Sequence, residues 1–211
     1  MINSDVEKEI FKYNVSRETL NRLVDFSKIL YEWNEKMNLV SKNSIQQLWQ
    51  RHILDSLQLV NYLPKKFETL TDIGSGAGFP AIVLAIFLKE KMPNVRLKLI
   101  ESITKKTVYL NDVVQKLSLT NVEVINSRVE NTVFKNTDIV TARAVAALDV
   151  LLSYQNKIGN SETLGIYLKG KTYKQEIETA CKNWDFKYMV TKNKYSDDGV
   201  VLQVSALRRK K

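Results

Sequence analysis

The chain has 211 residues, 44% hydrophobic and 26% charged, the composition of an ordinary globular protein that can bury a core without covalent staples. Its 32 Lys and Arg against 23 Asp and Glu give a formal charge of +9, an excess that suits a polyanionic partner, although charge alone leaves nucleic-acid binding open. The single cysteine, Cys181, excludes an internal disulfide framework, and no cluster of His and Cys has zinc-ligand spacing, so a reducing compartment and no metal are expected.

Residues 1–7 lack a basic segment followed by an apolar one, so no secretory signal is read there. The longest apolar run, 81–88, is far shorter than the roughly 20 residues of a membrane span. A cytoplasmic protein with no membrane partner is expected, and with nothing calling for an obligate dimer, a monomer.

In chain order, Ser4-Asp5-Val6-Glu7 has the form of a capping box, and Val6, Ile10 and Tyr13 follow at helical spacing. Leu20, Leu23, Val24, Ser27, Leu30 and Tyr31 mark one face of a second helix. A third is predicted over about 43–60, with Ile45, Leu48, Trp49, Ile53, Leu57 and Val60 on its stripe. From Phe67 short apolar runs alternate with helical stretches, the signature of βαβ units. Strands are predicted near 69–73, 96–101, 122–126, 137–141 and 163–168, and helices near 80–91, 103–117, 145–157 and 172–183. Two last runs, 186–192 and 200–207, flank Ser196-Asp197-Asp198-Gly199, a hairpin signal. The pattern predicts an α/β protein: a helical extension over 1–66, then one compact unit over 67–211. Its mostly parallel sheet ends in an antiparallel hairpin, as in the methyltransferase variant of the doubly wound fold.

The most informative segment is Thr71-Asp72-Ile73-Gly74-Ser75-Gly76-Ala77-Gly78-Phe79-Pro80, where the first strand hands over to a helix. Glycine-rich turns there admit a ligand close to the backbone. A dinucleotide fingerprint needs a small third residue for helix packing, and Phe79 occupies that place. The D-x-G-x-G-x-G spacing looks instead like the first motif of class I methyltransferases. Asp72 would suit the positive charges of S-adenosylmethionine. Glu101 ends the second strand, where a carboxylate can accept both ribose hydroxyls. Glu130 follows the third strand in a segment resembling the adenine-binding region of such enzymes.

Two absences narrow the reaction. The fourth strand ends in Thr141-Ala142-Arg143-Ala144-Val145, without the Asn/Asp-Pro-Pro-aromatic motif common among enzymes that methylate exocyclic amines. Cys181, in a late helical stretch, reads as a small core residue rather than the nucleophile that pyrimidine C5 chemistry requires. A target with a free lone pair, such as guanine N7, remains open: it needs no general base, only alignment. Arg143 could then meet guanine O6 or a flanking phosphate, or simply pair with a surface acid.

Seven stretches carry a more specific likeness. Trp33-Asn34, Asn38-Leu39 and Arg51-His52-Ile53-Leu54-Asp55-Ser56, then the glycine loop, Arg128 with Glu130, Ala142-Arg143-Ala144 and Leu168-Lys169-Gly170 together resemble the RsmG (GidB) family along nearly the whole chain. The resemblance implies a Rossmann-like class I methyltransferase fold with a seven-stranded sheet, S-adenosylmethionine as cofactor, and methylation of one guanine N7 in the decoding-region loop of 16S rRNA. The implied substrate is free 16S rRNA or the small ribosomal subunit. Carried across, the cofactor contacts are Gly74, Phe79, Val129, Glu130 and Arg143, beside Asp72, Gly76, Gly78 and Glu101 from the loop reading. Arg51, Arg128, Arg143 and Lys169 would form a basic rim for RNA, and Asn38, His52 and Asp55 join Arg143 and Lys169 as substrate-positioning candidates. Two departures stand out: Ala81 replaces a common glycine, and Val40 a common threonine. His52, the only histidine, lies on the apolar stripe, so a scaffold role is expected for it rather than acid–base chemistry. The Arg208-Arg209-Lys210-Lys211 end reads as a solubilising tail or as extra phosphate contacts. A methyltransferase with another substrate and a non-catalytic RNA-binding assembly factor remain as alternatives.

Overall fold

The computed structural model describes residues 2–211; Met1, the first residue of the stretch read for a leader, lies outside the described residues. Helices α1 (Ser4–Phe11) and α2 (Arg17–Lys36) form where the apolar spacing predicts them. The cap of α1 is Asn3 rather than Ser4. Asn3 accepts the Val6 N–H at 2.8 Å, satisfying an orphan donor at the helix start, while Glu7 pairs with Arg17 instead of closing a capping box. Tyr31, expected on the buried face of α2, is 44% exposed.

The single helix expected over 43–60 is broken into α3 (Lys42–Ile45), a π turn (Trp49–Leu54), α4 (Asp55–Leu57) and a 3-10 turn (Gln58–Tyr62). A π turn shifts the phase of the side chains that follow it. In this segment Ile53, Leu54 and Leu57 fill the core, while His52 and Asp55 reach toward a central strand end. Hydrophobic periodicity cannot reveal the break, because the core positions still recur at near-helical spacing.

Strands β1 (Thr69–Ile73), β2 (Arg96–Glu101), β3 (Val122–Asn126), β4 (Ile139–Arg143), β5 (Leu164–Lys169), β6 (Trp184–Lys192) and β7 (Val200–Arg209) form one sheet in the order β3-β2-β1-β4-β5-β7-β6. The first five are parallel, and β7 runs antiparallel to both β5 and β6. The hairpin signal holds, with a longer connection over 193–199 closed by the Asn193 N–H on the Gly199 carbonyl at 2.9 Å. Strand order reverses beside β1, so the ends of β1 and β4 diverge and open a crevice, the usual ligand position in such sheets.

Helices α5 (Ala81–Lys91) and α6 (Thr104–Lys116) pack one face of the sheet, and α7 (Leu148–Ile158) and α8 (Tyr173–Asn183) the other. Helix α5 explains the N-terminal helices. Ala81, Ile82, Val83, Leu84, Ala85, Ile86 and Leu88 are all buried, so it is apolar around its circumference and needs cover on both sides. The sheet supplies one side; α2 and α4 supply the other, in one core running from Val6 to Val201. No helix among the described residues is long and apolar enough to cross a membrane.

Two peripheral expectations change. Cys181 is exposed on α8, since that helix buries only Ile177 and Ala180. The basic C-terminus is partly strand: β7 includes Arg208 and Arg209, and the Lys210 Nζ donates to the Cys181 carbonyl at 2.7 Å. Because β7 pairs Val200 with Lys169 and Val204 with Gly165, its end lies away from the crevice.

Candidate active site

The glycine loop is shaped by backbone conformation first. Gly74 and Gly76 take φ of +66° and +53°, the left-handed region that side chains disfavour. At Gly74 an added Cβ would lie 2.6 Å from the Val145 Cγ2, so packing demands glycine as well. At Gly76 the nearest atom to an added Cβ is the Gly74 carbonyl oxygen at 3.6 Å, which leaves a cradle a larger side chain would fill.

Two carboxylates hold this loop. Glu101, 5% exposed at the end of β2, accepts the Gly76 N–H at 2.9 Å on one oxygen and the Ile103 N–H at 2.8 Å on the other. Asp72 lies fully buried beneath the loop, accepting from the Thr141 hydroxyl at 2.6 Å and the Ser75 hydroxyl at 2.7 Å. Burial pushes its carboxyl up to about 7, against the opposing pull of those two bonds. Ser75 and Thr141 were not singled out by sequence reasoning, since hydroxyls next to a glycine motif carry no signal of their own.

Beside Gly74 a cleft of about 120 Å³ is walled by Ile73, Ile100 and Val129, with Arg128, Glu130 and Tyr154 at its edge. Two aliphatic strand ends and a valine make a slot suited to a flat apolar ring. Glu130 is exposed and accepts from the Tyr154 hydroxyl at 2.8 Å. Its own backbone N–H, then Tyr154, hold its carboxyl below the usual carboxylate range.

On the other side of Val145 opens a larger cleft of about 830 Å³, and Arg143 lines it. Its Nη1 donates to the Asp55 Oδ2 at 2.9 Å and the Arg51 carbonyl at 3.0 Å, and its Nη2 meets the His52 Nδ1. The guanidinium also lies 5.3 Å from the Phe79 ring centroid. Phe79 in turn stacks on His52 at 5.0 Å and packs against Phe26 at 5.3 Å. A motif read as R-H-I-L-D-S thus closes around one arginine from the far half of the chain. The surface acid considered as a partner for Arg143 is in fact the buried Asp55, 6% exposed.

His52 is 8% exposed, and burial, followed by Arg143 and Arg51, lowers its pKa to about 3. The ring is neutral at physiological pH. With a guanidinium on Nδ1 that nitrogen must accept, which leaves the proton on Nε2. Nε2 is buried with no hydrogen-bond partner among the described residues. This placement argues for holding Phe79 and Arg143, not for proton transfer.

Not every expected residue converges here. Arg51 is exposed on the rim of the larger cleft, and Arg128 on the edge of the smaller one. Lys169 lines the larger cleft but differs from a free rim cation. Its ammonium is 2.5 Å from Glu176 and donates to the Ala146 carbonyl at 2.9 Å, which removes most of its attraction for a phosphate. Asn38 is exposed and lines neither cleft. The neighbouring Asn34 is the structural residue of that segment, its Oδ1 accepting both the Leu39 and Val40 N–H groups at 2.9 Å. Sequence reasoning also passed over Asn193 and Gln58, buried polar residues that meet Asp55.

The model of the rRNA small subunit methyltransferase G family matches residues 19–198. The chain is 39% identical over 199 residues to the Ribosomal RNA small subunit methyltransferase G of Bartonella henselae, covering 92% of this chain and 90% of that protein. It is 42% identical over 192 residues to the protein of the same name from Orientia tsutsugamushi strain Ikeda, covering 91% and 93%. Among solved structures, M. jannaschii TYW2 in complex with AdoMet superposes with a TM-score of 0.57 at 15% identity, covering 83% of this chain and 80% of that one, a likeness of fold alone. With the glycine loop, the crevice beside β1 and the Arg51–Asp55 segment all in place, this match over most of the length shows that the chain belongs to the rRNA small subunit methyltransferase G family.

Proposed function

We propose that the protein transfers a methyl group from S-adenosylmethionine to N7 of one guanine in 16S rRNA. Family membership carries the reading, and the site's chemistry agrees with it. The apolar slot of Ile73, Ile100 and Val129 suits an adenine, the open cradle above Gly76 suits a ligand pressed on the backbone, and Glu101 and Glu130 supply negative charge around a cationic ligand, while Asp72 braces the loop from beneath through Ser75 and Thr141. These fit the cofactor, which when bound supplies an electrophilic methyl on a sulfonium. The helical extension over 1–66 and the core over 67–211 then divide the work, the first bracing Arg143 and the second carrying the cofactor.

The chain's own residues do little acid–base chemistry in this reaction. N7 has a lone pair and no proton, so alignment suffices. Arg143, fixed by Asp55, the Arg51 carbonyl and His52, presents a rigid cation in the larger cleft, where guanidinium donors can engage guanine O6 or a phosphate. Arg51 and Arg128 add exposed positive charge for 16S rRNA, free or in the small subunit.

The test is incubation with labelled S-adenosylmethionine and small-subunit rRNA from cells lacking the modification, followed by borohydride and aniline cleavage. A single cut in the decoding-region loop is expected. Cofactor binding without transfer to rRNA or subunits overturns the proposal in favour of an assembly factor or another substrate.

A further inference from the structure

Asp55 is a junction with two sides. Its Oδ2 accepts from Arg143, and its Oδ1 accepts from the Asn193 Nδ2 at 2.6 Å and the Gln58 Nε2 at 3.1 Å. Asn193 begins the loop between β6 and β7 and is 4% exposed; Gln58 is 3% exposed. The two amides also bond each other, Gln58 Nε2 to Asn193 Oδ1 at 2.9 Å, and Gln58 Oε1 takes the Lys194 N–H at 3.1 Å. Asn193 Oδ1 further accepts the Tyr195 N–H at 2.7 Å, turning Tyr195 and Ser196 along the larger cleft. The Tyr195 hydroxyl meets Tyr13 just beyond α1 at 2.7 Å and donates to Glu9 on α1 at 2.8 Å.

A buried carboxylate with free lone pairs is not held in one rotamer by a single arginine contact. The donors on its second oxygen decide where the first points. Here one of those donors, Gln58, lies in the turn that follows α4, and the other, Asn193, comes from a loop remote in sequence from both the glycine motif and the Arg51–Asp55 segment. From this geometry we infer that Asn193 is a positioning residue for methyl transfer: through Asp55 it sets the orientation of Arg143, and it thereby couples the hairpin loop walling the larger cleft to the methyl-transfer centre. The inference rests on the functional reading above. Orientation is where such an effect falls, because displacement of a positioning group by a fraction of an ångström lowers the turnover rate while leaving cofactor contacts intact.

The experiment compares wild type, Asn193→Ala, Asn193→Asp, Arg143→Ala and Asn193→Ala/Arg143→Ala on modification-deficient small-subunit RNA, with S-adenosylmethionine affinity measured by calorimetry and folding by circular dichroism. Asn193→Asp keeps the shape but exchanges the Nδ2 donor for a second acceptor, so it reports even if the alanine variant folds poorly. Each Asn193 single variant is expected to lose roughly tenfold in kcat with cofactor Kd within about twofold. In the Arg143→Ala background, removing Asn193 should change kcat by less than about twofold, since the group it acts through is gone. Unchanged kcat in folded Asn193 variants, with only a lower Tm, overturns the inference and leaves Asn193 a loop latch; so do losses that multiply in the double variant. No transfer by the wild-type chain overturns the functional reading itself, which separates the two failures.

Discussion

Arg143 and Asp55 meet at 2.9 Å with little of either side chain exposed, joining the end of β4 to the broken helix that precedes the sheet. Breaking a buried pair from one side strands a desolvated charge, and such losses cost about 3–5 kcal/mol. Asp55→Ala should lower the unfolding free energy by that amount, read as a lower urea midpoint at unchanged m-value. A loss below about 1 kcal/mol would mean that the guanidinium is already satisfied by the Arg51 carbonyl and His52.

His52 gives the fold an acid limit. Its folded pKa, lowered by burial to about 3, lies below the 6.5 of the unfolded chain, so the unfolded state binds the extra proton first. The stability present above pH 6.5 is therefore lost as pH falls toward 3, by on the order of 2 kcal/mol between pH 6.5 and 5. Replacing the ring by a residue that does not titrate, as in His52→Gln, should flatten this part of the Tm–pH curve. The alanine variant should lose more in Tm than in methyl transfer per folded molecule. Normal folding with activity abolished would place His52 in the chemistry.

Asp72 works in the opposite sense. Burial raises its carboxyl to about 7 from an ordinary value of 3.8, so the folded state holds a proton that the unfolded state has released. The contribution is full below pH 3.8 and disappears as pH rises through 7. Asp72→Asn keeps a neutral group between Thr141 and Ser75 and should gain about 4 °C or more in Tm over wild type at pH 8, with little gain at pH 4. Equal gains at both pH values would point to packing rather than titration.

The two glycines should separate binding from folding. At Gly76→Val the added Cβ makes only an ordinary contact with the Gly74 carbonyl oxygen, so its structural cost is the left-handed backbone, about 1–2 kcal/mol for a single residue. Its main effect should be loss of S-adenosylmethionine affinity, read by calorimetry. Gly74→Val adds a collision with Val145 and should cost more in Tm. If Gly76→Val binds cofactor as tightly as wild type, the cradle does not face the ligand.

Local chemistry made much of this legible in advance. The strands over 69–73, 96–101 and 122–126 coincide with β1, β2 and β3, because short runs rich in Leu, Ile, Val and Thr lie between polar turns and helical stretches at βαβ spacing. The glycine loop was readable for a related reason: positive φ leaves its mark in residue identity. Lys169 shows the limit, since nothing next to it in sequence reveals that Glu176 will neutralise it. The broken third helix was hidden likewise, and with it the path by which His52 and Asp55 come to face Arg143.

The α/β order, the terminal hairpin, the glycine cradle and the family likeness are written in residue types at short spacing. Which polar groups meet in the core depends on the assembled fold. Arg143 is shared by Asp55, His52 and the Arg51 carbonyl, and Asp55 is gripped from behind by Asn193, although these residues belong to separate stretches of the chain. A hydrogen bond depends on the final separation and direction of two groups, and those are set by the packing of sheet and helices as a whole, not by any local run of residues.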